Sequence, residues 1–242
     1  MNKGAYFLKL REFIIANSNI EYLHILRDPK MFRGALQSTM LLVLRKGENE
    51  GDYVFRKNGV LIFSENTKFL EKEFKNKKTL SELNYRVRTG RLVWNQHKNS
   101  LTNNKDEGIP LIWAHNITEE GLKFPITSES KPQYVKKRDY DIGPAIVVNR
   151  ITGTVKETKL RAAAIPANMK FIAENHVNVI FPNLKSQSRL NFGNNPSAGK
   201  IPLEALAKQI SSREKFEVIR NITGNTQISK NELEKLFPIS LN

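Results

Sequence analysis

The fold of this chain is decided by the stretch Gly143-Pro144-Ala145-Ile146-Val147-Val148-Asn149-Arg150, in which a short apolar run follows a Gly-Pro pair. Gly and Pro favour turns, and a run of β-branched residues bounded by turn residues is typical of a buried strand. Similar segments occur on both sides of it, at residues 110–117, 133–136, 154–165 and 176–181. Short strands separated by Gly, Pro and Asn turns predict a compact, mostly β domain with irregular loops.

The first part of the chain has a different pattern. Apolar residues recur at three- and four-residue spacing over residues 1–17, which predicts a helix. Strands are predicted at 20–26 and 38–45, and residues 53–63 predict a hairpin around Asn58-Gly59. A helix followed by strands rich in Leu, Val and Ile suggests the tail of an α/β sheet and not a complete domain.

A charged, helical segment at residues 69–78 is the best candidate for a domain boundary. We therefore predict an α/β fold in two parts. Residues 1–74 form a partial mixed α/β sheet, and residues 75–242 form a β-rich α+β domain. Residues 186–199, rich in Ser and Asn, predict a mobile loop.

Three helices are predicted in the second part from their N-terminal signals. Thr79-Leu80-Ser81-Glu82 and Ser229-Lys230-Asn231-Glu232 have the spacing of a capping box, in which two side chains satisfy the first free N–H groups of a helix. Pro202 opens a helix that runs through Ile210, since proline is favoured in the first turn.

The chain is strongly basic, with 39 Lys and Arg against 24 Asp and Glu and a formal net charge of +15. The excess is clustered: residues 75–98 hold seven cations and one anion, and residues 131–161 hold eight cations and three anions. Basic patches interleaved with Trp, Tyr and Asn favour a nucleic-acid partner over a membrane, because no amphipathic helix with a broad apolar face accompanies them. An ordinary solvated basic surface remains the alternative.

The absence of cysteine excludes disulfides and thiolate metal sites. The longest apolar run, residues 40–44, is far too short for a membrane span, and the N-terminus lacks the core of a signal peptide. The four histidines are dispersed, with no partner at three- or four-residue spacing, which disfavours a metal site. We expect a soluble, cytoplasmic protein without a membrane partner.

Residues 87–98 place a glycine turn, four cationic or imidazole side chains, an indole and two amides in twelve positions. A glycine lets the backbone approach a ligand, Arg and Lys bind phosphates, and Asn, Gln and Arg have the paired groups that recognise base edges. The alternative is a surface hairpin in which Trp94 caps a small core.

Several collinear blocks resemble one family. They are Thr89-Gly90-Arg91-Leu92-Val93-Trp94-Asn95-Gln96-His97-Lys98, Pro110-Leu111-Ile112-Trp113-Ala114-His115-Asn116-Ile117, Pro132-Gln133-Tyr134-Val135-Lys136, the stretch quoted first, Glu174-Asn175-His176-Val177-Asn178-Val179-Ile180, and Thr223-Gly224-Asn225-Thr226-Gln227-Ile228-Ser229 with Glu232-Leu233. Together they resemble the target-recognition domain of adenine-specific (N6) DNA methyltransferases of restriction-modification systems. The resemblance implies sequence-specific recognition of double-stranded DNA.

Three runs in the first part of the chain look like the last strands of the catalytic sheet of the same family: Ile20-Glu21-Tyr22-Leu23-His24-Ile25-Leu26, Met31-Phe32 and Ser38-Thr39-Met40-Leu41-Leu42-Val43-Leu44. Residues 1–74 thus resemble the end of that catalytic domain, beyond its active-site tetrapeptide. Members of the family bind S-adenosylmethionine at a glycine-containing strand–turn motif and hold the flipped adenine with Asn-Pro-Pro-Tyr or a close variant. This sequence contains no Pro-Pro pair and no glycine-rich strand-to-helix turn. We therefore expect the chain to bind DNA without a cofactor and without catalysis of its own, as a C-terminal fragment, a truncated gene product or a separate recognition subunit. S-adenosylmethionine would serve the full-length enzyme, and the protein partner would be a catalytic methyltransferase half or a restriction subunit.

The resemblance and the side-chain chemistry together give candidate DNA-binding residues. Arg88, Arg91 and Lys98 are expected at phosphates or guanine, and Asn95, Gln96 and His97 at base edges. Trp94 is expected in the core, and Asn175 and His176 are expected to be structural. The remaining candidates are polar residues of the Thr-Gly block, of predicted strand ends or of a predicted turn: Thr89, Asn116, Lys136, Arg150, Thr226 and Gln227.

Two other function classes remain open. Asp141 followed by Glu157-Thr158-Lys159 supplies the carboxylates and lysine of a magnesium-dependent nuclease, although Glu-x-Lys arises often by chance in so charged a chain. A general module that binds RNA or single strands would share the same basic and aromatic residues.

Overall fold

The computed structural model describes residues 5–26, 39–126, 131–150, 159–183, 201–223 and 227–241 of the chain. Within these residues the protein is a mixed α/β structure with five α-helices and four β-sheets. The helices are α1 (Ala5–Asn17), α2 (Thr67–Phe74), α3 (Leu203–Ile210), α4 (Arg213–Thr223) and α5 (Lys230–Leu236). The strands are β1 (Ser18–Leu26), β2 (Thr39–Lys46), β3 (Val54–Lys57), β4 (Val60–Phe63), β5 (Tyr85–Thr89), β6 (Leu101–Thr102), β7 (Ile109–Ile112), β8 (Tyr134–Val135), β9 (Asp141–Ile142), β10 (Ala145–Asn149), β11 (Ala162–Ile165), β12 (Lys170–Ala173) and β13 (Val177–Pro182). No helix among these residues is both long and apolar enough to cross a membrane.

The centre of the molecule is an antiparallel four-stranded sheet with the order β11-β10-β13-β5. Every residue of β10 is buried. Ile146 and Val148 lie in one hydrophobic cluster and Ala145 and Val147 in another, because the two faces of the strand are both covered. This explains why the stretch is continuously apolar and does not alternate with polar residues.

Helices cover one face of this sheet, and a second sheet covers the other. Ile146, Val148 and Ile180 share a cluster with residues of α3, α4 and α5. On the opposite face, Val147 and Val179 share a cluster with Ile112 of β7 and with residues of β12. The four-stranded sheet therefore forms the middle layer of this part of the protein.

The second sheet has five strands in the order β6-β8-β7-β12-β9. It is mixed, because β7 and β12 are parallel while the other pairs are antiparallel. Residues 1–74, for which the sequence predicts a partial mixed α/β sheet, contain in their described part the helices α1 and α2 and the strands β1 to β4. There, β1 and β2 form an antiparallel pair, with Tyr22 opposite Val43, and the outer face that carries these two side chains is exposed.

The hairpin predicted around Asn58-Gly59 is formed by β3 and β4. Both turn residues have positive φ, 49° and 71°, which the two-residue hairpin turn requires. Its side chains divide between two cores: Leu61 and Phe63 pack with α1 and β1, whereas Phe55 and Ile62 pack in the same cluster as α2 and the C-terminal helices.

The other predicted elements are mostly found with shifted bounds. Residues 20–26, 38–45, 133–136, 144–150 and 176–181 correspond to β1, β2, β8, β10 and β13. The segment 110–117 is a strand only in β7 and continues as a 3-10 turn at Ala114–Asn116. Of the segment 154–165, only β11 lies among the strands described, and the predicted loop at 186–199 lies outside the described residues.

Both capping boxes are formed, with different results. Ser229 N donates to Glu232 Oε2 at 2.6 Å and begins α5 as predicted. Thr79 N donates to Glu82 Oε2 at 2.7 Å, but a turn follows instead of a helix, because Asn84 adopts a positive φ of 59° and β5 begins at the next residue. Helix α4 and the strands β5, β6, β9 and β12 have no counterpart among the predicted elements.

Candidate nucleic-acid interface

The segment that follows β5 is fixed to the strands β12 and β13. Gly90 N donates to Val177 O at 2.7 Å, and Leu92 N donates to Ala173 O at 3.2 Å. A Cβ atom on Gly90 would lie 2.0 Å from the carbonyl oxygen of Glu174, so only glycine fits there. The sequence suggested that this glycine brings the backbone near a ligand; in the structure it is required by a contact within the chain.

Arg88 and Arg91 are held by two carboxylates, Asp141 of the edge strand β9 and Asp139 two residues before it. Arg88 donates to Asp141 Oδ1, and Arg91 donates to the same atom at 3.4 Å and to Asp139 Oδ2 at 2.6 Å. The Arg88 guanidinium also lies 5.0 Å from the centroid of the Phe181 ring. These arginines therefore fix the segment, and a phosphate or guanine would have to compete with carboxylates for them.

Trp94 lies at the exposed end of a short ladder of rings. Its ring centroid is 6.2 Å from that of Trp113, which in turn is 6.1 Å from the His115 ring. Trp113 is buried and donates from Nε1 to Pro132 O at 2.9 Å, whereas Trp94 is 37% exposed. The sequence favoured a core position for Trp94; the structure assigns that position to Trp113 and leaves Trp94 at the surface.

Two lysines lie beside the rings of this ladder. Lys98 Nζ lies 5.6 Å from the centroid of Trp94, and Lys131 Nζ lies 5.9 Å from that of Trp113. Burial lowers the pKa of His115, and the nearby charge of Lys131 lowers it further. An aromatic face bordered by ammonium groups is suited to a flat, electron-rich ring next to an anion.

The two basic clusters predicted from the sequence meet at this place. Lys136 N donates to Ser100 O at 2.8 Å, and Lys137 Nζ lies 3.1 Å from His97 Nε2. Lys136 is paired with Glu107 across the same region. We use the term Trp94 surface for the residues that adjoin the ladder from both clusters: Trp94, Asn95, Gln96, His97, Lys98, Lys131, Lys136 and Lys137.

Asn95 and Gln96 are the exposed amides of the Trp94 surface. They belong to a 3-10 turn, Trp94–Gln96, whose backbone is closed by His97 N donating to Trp94 O at 3.0 Å. Their side-chain amides make no hydrogen bond within the part of the chain that the structure describes. They are therefore available to an external donor or acceptor.

Three other candidates lie at the end of the four-stranded sheet. Thr89 Oγ1 donates to Asn178 Oδ1 at 3.2 Å, and Arg150 donates from Nη1 to Asn175 O at 2.7 Å. Gln227 is exposed and immediately precedes Ile228, whose N–H donates to Arg150 O at 3.1 Å. Thr226 lies outside the described residues.

Asn116 is not at the surface, contrary to its predicted place at an accessible strand end. It is fully buried. Its Oδ1 accepts from Trp113 N at 2.8 Å, and its Nδ2 donates to Lys123 O at 3.0 Å and to Gln133 Oε1 at 2.9 Å. Because its amide oxygen and nitrogen are both hydrogen-bonded within the fold, Asn116 joins three segments of the chain and is not accessible to a ligand.

The Asp141 carboxylate is occupied by two guanidinium groups, which disfavours a metal-binding role for it. Glu157, the second acidic residue of the nuclease hypothesis, lies outside the described residues. Among the residues that are described, no three His, Asp or Glu side chains are grouped as metal ligands.

The sequence did not identify Trp113, His115 and Lys131 as neighbours of Trp94. One signal was present, because Trp113 and His115 alternate along one segment and so point to the same side of an extended chain. Their contact with Trp94 depends on the five-stranded sheet, which local pattern does not reveal. Comparison with known proteins found no family model and no curated protein that matches this chain.

Proposed function

We propose that the chain recognises double-stranded DNA in a sequence-specific way, as the target-recognition part of a DNA adenine-N6 methyltransferase of a restriction-modification system. The observation that supports this best is the Trp94 surface. It presents two uncommitted amides on a segment that Gly90 and Arg91 hold in place, beside lysines from two separate parts of the chain.

The lysines of the Trp94 surface supply the sequence-independent part of the affinity. Three of the four lysines, Lys98, Lys131 and Lys137, make no ion pair with a carboxylate among the described residues. The fourth, Lys136, is paired with Glu107. Phosphates of a duplex release condensed counterions when such ammonium groups bind them. The affinity should therefore fall steeply as the salt concentration rises.

The amides supply the sequence-dependent part. Asn and Gln can make two hydrogen bonds to the edge of adenine in the major groove, and each such pair discriminates by about 1–3 kcal/mol. Asn95 and Gln96 are exposed and adjacent, so they are the strongest candidates for base contacts. Arg91 is a weaker candidate, because Asp139 and Asp141 already accept from its guanidinium.

S-adenosylmethionine is not assigned to this chain. The described strands that precede residue 75 are antiparallel pairs, and the sequence has no glycine-rich strand-to-helix turn to hold the cofactor. Under the proposal, donor binding and methyl transfer belong to a catalytic part of the enzyme, and this chain's residues bind and orient the DNA.

Selection from a random duplex library tests the proposal. The wild-type chain should enrich one motif, and Asn95→Ala or Gln96→Ala should relax it at one or two positions. Lys98→Gln and Lys137→Gln should weaken binding to all duplexes alike and each reduce the log–log salt slope by about 0.9. Lys46→Gln, an exposed lysine on β2, removes the same charge elsewhere and should leave both motif and slope unchanged.

Three outcomes would contradict the proposal. An unchanged motif in both amide variants would exclude the Trp94 surface from base recognition. Binding to single strands as tightly as to duplex would favour a general nucleic-acid module. Cleavage of DNA with Mg²⁺ alone would favour a nuclease.

A further inference from the structure

A second basic site lies at the opposite edge of the four-stranded sheet from β5. It is a cavity of about 660 Å³ between the segment 159–161, which leads into the edge strand β11, and the helices α3 and α4. Four cationic side chains line it, Lys159, Arg161, Lys208 and Lys215, together with one carboxylate, Glu119. None of these residues belongs to the Trp94 surface or to the resemblance on which the proposed function depends.

Arg161 is anchored by its backbone and has an unmatched polar atom. Its N–H donates to Asn149 Oδ1 at 2.6 Å, and its carbonyl accepts from Asn149 N at 3.1 Å. Its Nε atom is buried and has no hydrogen-bond partner among the described residues. Arg161 itself lines the cavity, and its terminal guanidinium N–H groups make no hydrogen bond within the described residues, so they are the donors that a ligand there can meet.

The charges around the cavity are only partly compensated. Lys159 is paired with Glu119 at the rim. Lys208 is exposed and makes no ion pair within the described residues. The guanidinium of Arg161 and the ammonium groups of Lys208 and Lys215 thus leave an excess of positive charge in the cavity.

Lys215 is held at a fixed place in this lining. Its Nζ donates to Gln209 Oε1 and, at 3.1 Å, to Ser240 Oγ. Burial lowers its pKa, the nearby Lys77 lowers it further, and Glu214 and Glu73 act in the opposite direction. An anion in the cavity would favour the charged form of Lys215.

The connection between α3 and α4 adds two hydroxyl donors. Ser211 Oγ accepts from Ala162 N at 2.9 Å, so its own hydroxyl proton remains available. Ser212 directly precedes α4, and its Oγ accepts from Lys215 N at 3.5 Å, so its hydroxyl proton is available as well. Both serines line the cavity.

We propose that this cavity binds the phosphate group of a small phosphorylated ligand between Arg161, Lys208, Lys215 and the two serines. A phosphate accepts several hydrogen bonds at once and carries up to two negative charges. This matches an arginine, two lysines and two hydroxyls that come from the segment before β11, from α3 and α4, and from the connection between these helices. The volume exceeds that of a bare phosphate and falls in the range of small-molecule sites, so the ligand includes an organic part up to the size of a mononucleotide.

The test is calorimetric titration of the intact chain with inorganic phosphate and with a 5′-mononucleotide at constant ionic strength. The wild type should bind both saturably, and the nucleotide more tightly. Lys208→Gln and Arg161→Gln should each weaken binding about tenfold, the effect of losing one charge-assisted hydrogen bond. Lys230→Gln is the control: this lysine lines a groove beside β5, and its loss should change the affinity less than about twofold.

Melting curves of each variant show whether unfolding causes a loss of affinity. Lys208 is exposed, so Lys208→Gln still tests the proposal if Arg161→Gln fails to fold. Absence of saturable phosphate and nucleotide binding by the wild type would overturn the proposal. An equal loss of phosphate and nucleotide affinity in Lys230→Gln would overturn it too. The same holds if Lys208→Gln weakens the binding of duplex DNA but not that of phosphate or the nucleotide. Duplex recognition by the Trp94 surface is measured independently, so one proposal can fail while the other stands.

Discussion

Arg88 and Asp141 join the two main sheets of the protein. Arg88 lies on β5, the edge strand of the four-stranded sheet, and donates to the carboxylate of Asp141 on β9, at the edge of the five-stranded sheet. Arg91 donates to the same oxygen from the segment that leads to Trp94. One carboxylate thereby sets the position of the Trp94 surface relative to both sheets.

Asp141→Asn should lower the free energy of unfolding by about 1–3 kcal/mol, because two guanidinium groups lose a charged acceptor that is only 13% exposed. Urea unfolding near neutral pH measures this. Asp139→Asn is the matched control: its carboxylate is 79% exposed, so the loss should stay below about 1 kcal/mol. Equal effects of the two substitutions would contradict the joining role of Asp141.

Gly90→Ala should destabilise the fold by about 3 kcal/mol, because its Cβ would overlap the backbone carbonyl of Glu174, whose oxygen also accepts a hydrogen bond from Val177 N. Thermal or urea unfolding gives the value. Asn95→Ala, in the same segment but exposed, should stay within about 0.5 kcal/mol of the wild type. A Gly90→Ala variant as stable as the wild type would show that the segment is not fixed by this contact.

Glu82→Gln should remove a stabilisation that depends on pH. Burial by itself raises the pKa of Glu82, but hydrogen bonds from Lys57 and Thr79 outweigh it and lower the pKa from 4.5 to about 2. Because the folded-state pKa lies below the unfolded one, the contribution is present above about pH 4.5 and is lost as the pH falls to about 2. Urea unfolding at several pH values should show the difference between wild type and Glu82→Gln shrinking over that window. Lys57→Gln should raise the pKa of Glu82 towards 4.5, so that the contribution of Glu82 is lost over a narrower pH range. A stability difference between wild type and Glu82→Gln that stays constant with pH would refute the assignment.

Lys131→Gln should raise the pKa of His115 towards, but not to, its ordinary value of 6.5, because burial persists after the nearby charge is removed. The folded-state pKa is lowered, so the neutral ring stabilises the fold above about pH 6.5, and that stability is lost as the pH falls through the folded pKa. An NMR titration of the His115 ring protons measures the shift. Lys46→Gln is the control, and an equal shift there would mean that overall charge is responsible.

The sequence predicted those elements whose signals are local. Gly, Pro and Asn residues delimit β10 and β13, Asn58-Gly59 specifies the hairpin, and Ser229 with Glu232 begins α5. Helix α4 was missed although Phe216, Ile219 and Ile222 repeat every three residues and are buried. Two residues separate it from the end of α3, with no proline or glycine between them, and its only local start signal is Ser212, whose Oγ accepts from Lys215 N at 3.5 Å.

The candidate site depends more on tertiary structure. The exposure of Trp94, the burial of Asn116 and the double role of Asp141 arise from the pairing of β7 with β12 and of β9 with β12, whose strands are far apart in sequence. Neither charge nor spacing along the chain distinguishes Arg91, which carboxylates hold, from Lys98, which lies over the Trp94 ring.

The absence of a Cβ at Gly90 also bears on the thermodynamics of association. A loop that must become ordered on binding gives up conformational entropy at that moment, and the loss is subtracted from the affinity. Here the backbone from Gly90 to the turn Trp94–Gln96 is already ordered by contacts with Val177 and Ala173 and by its own turn hydrogen bonds. A ligand of the Trp94 surface therefore meets amide groups whose main chain is set before it arrives, and only their side-chain rotamers remain to be chosen.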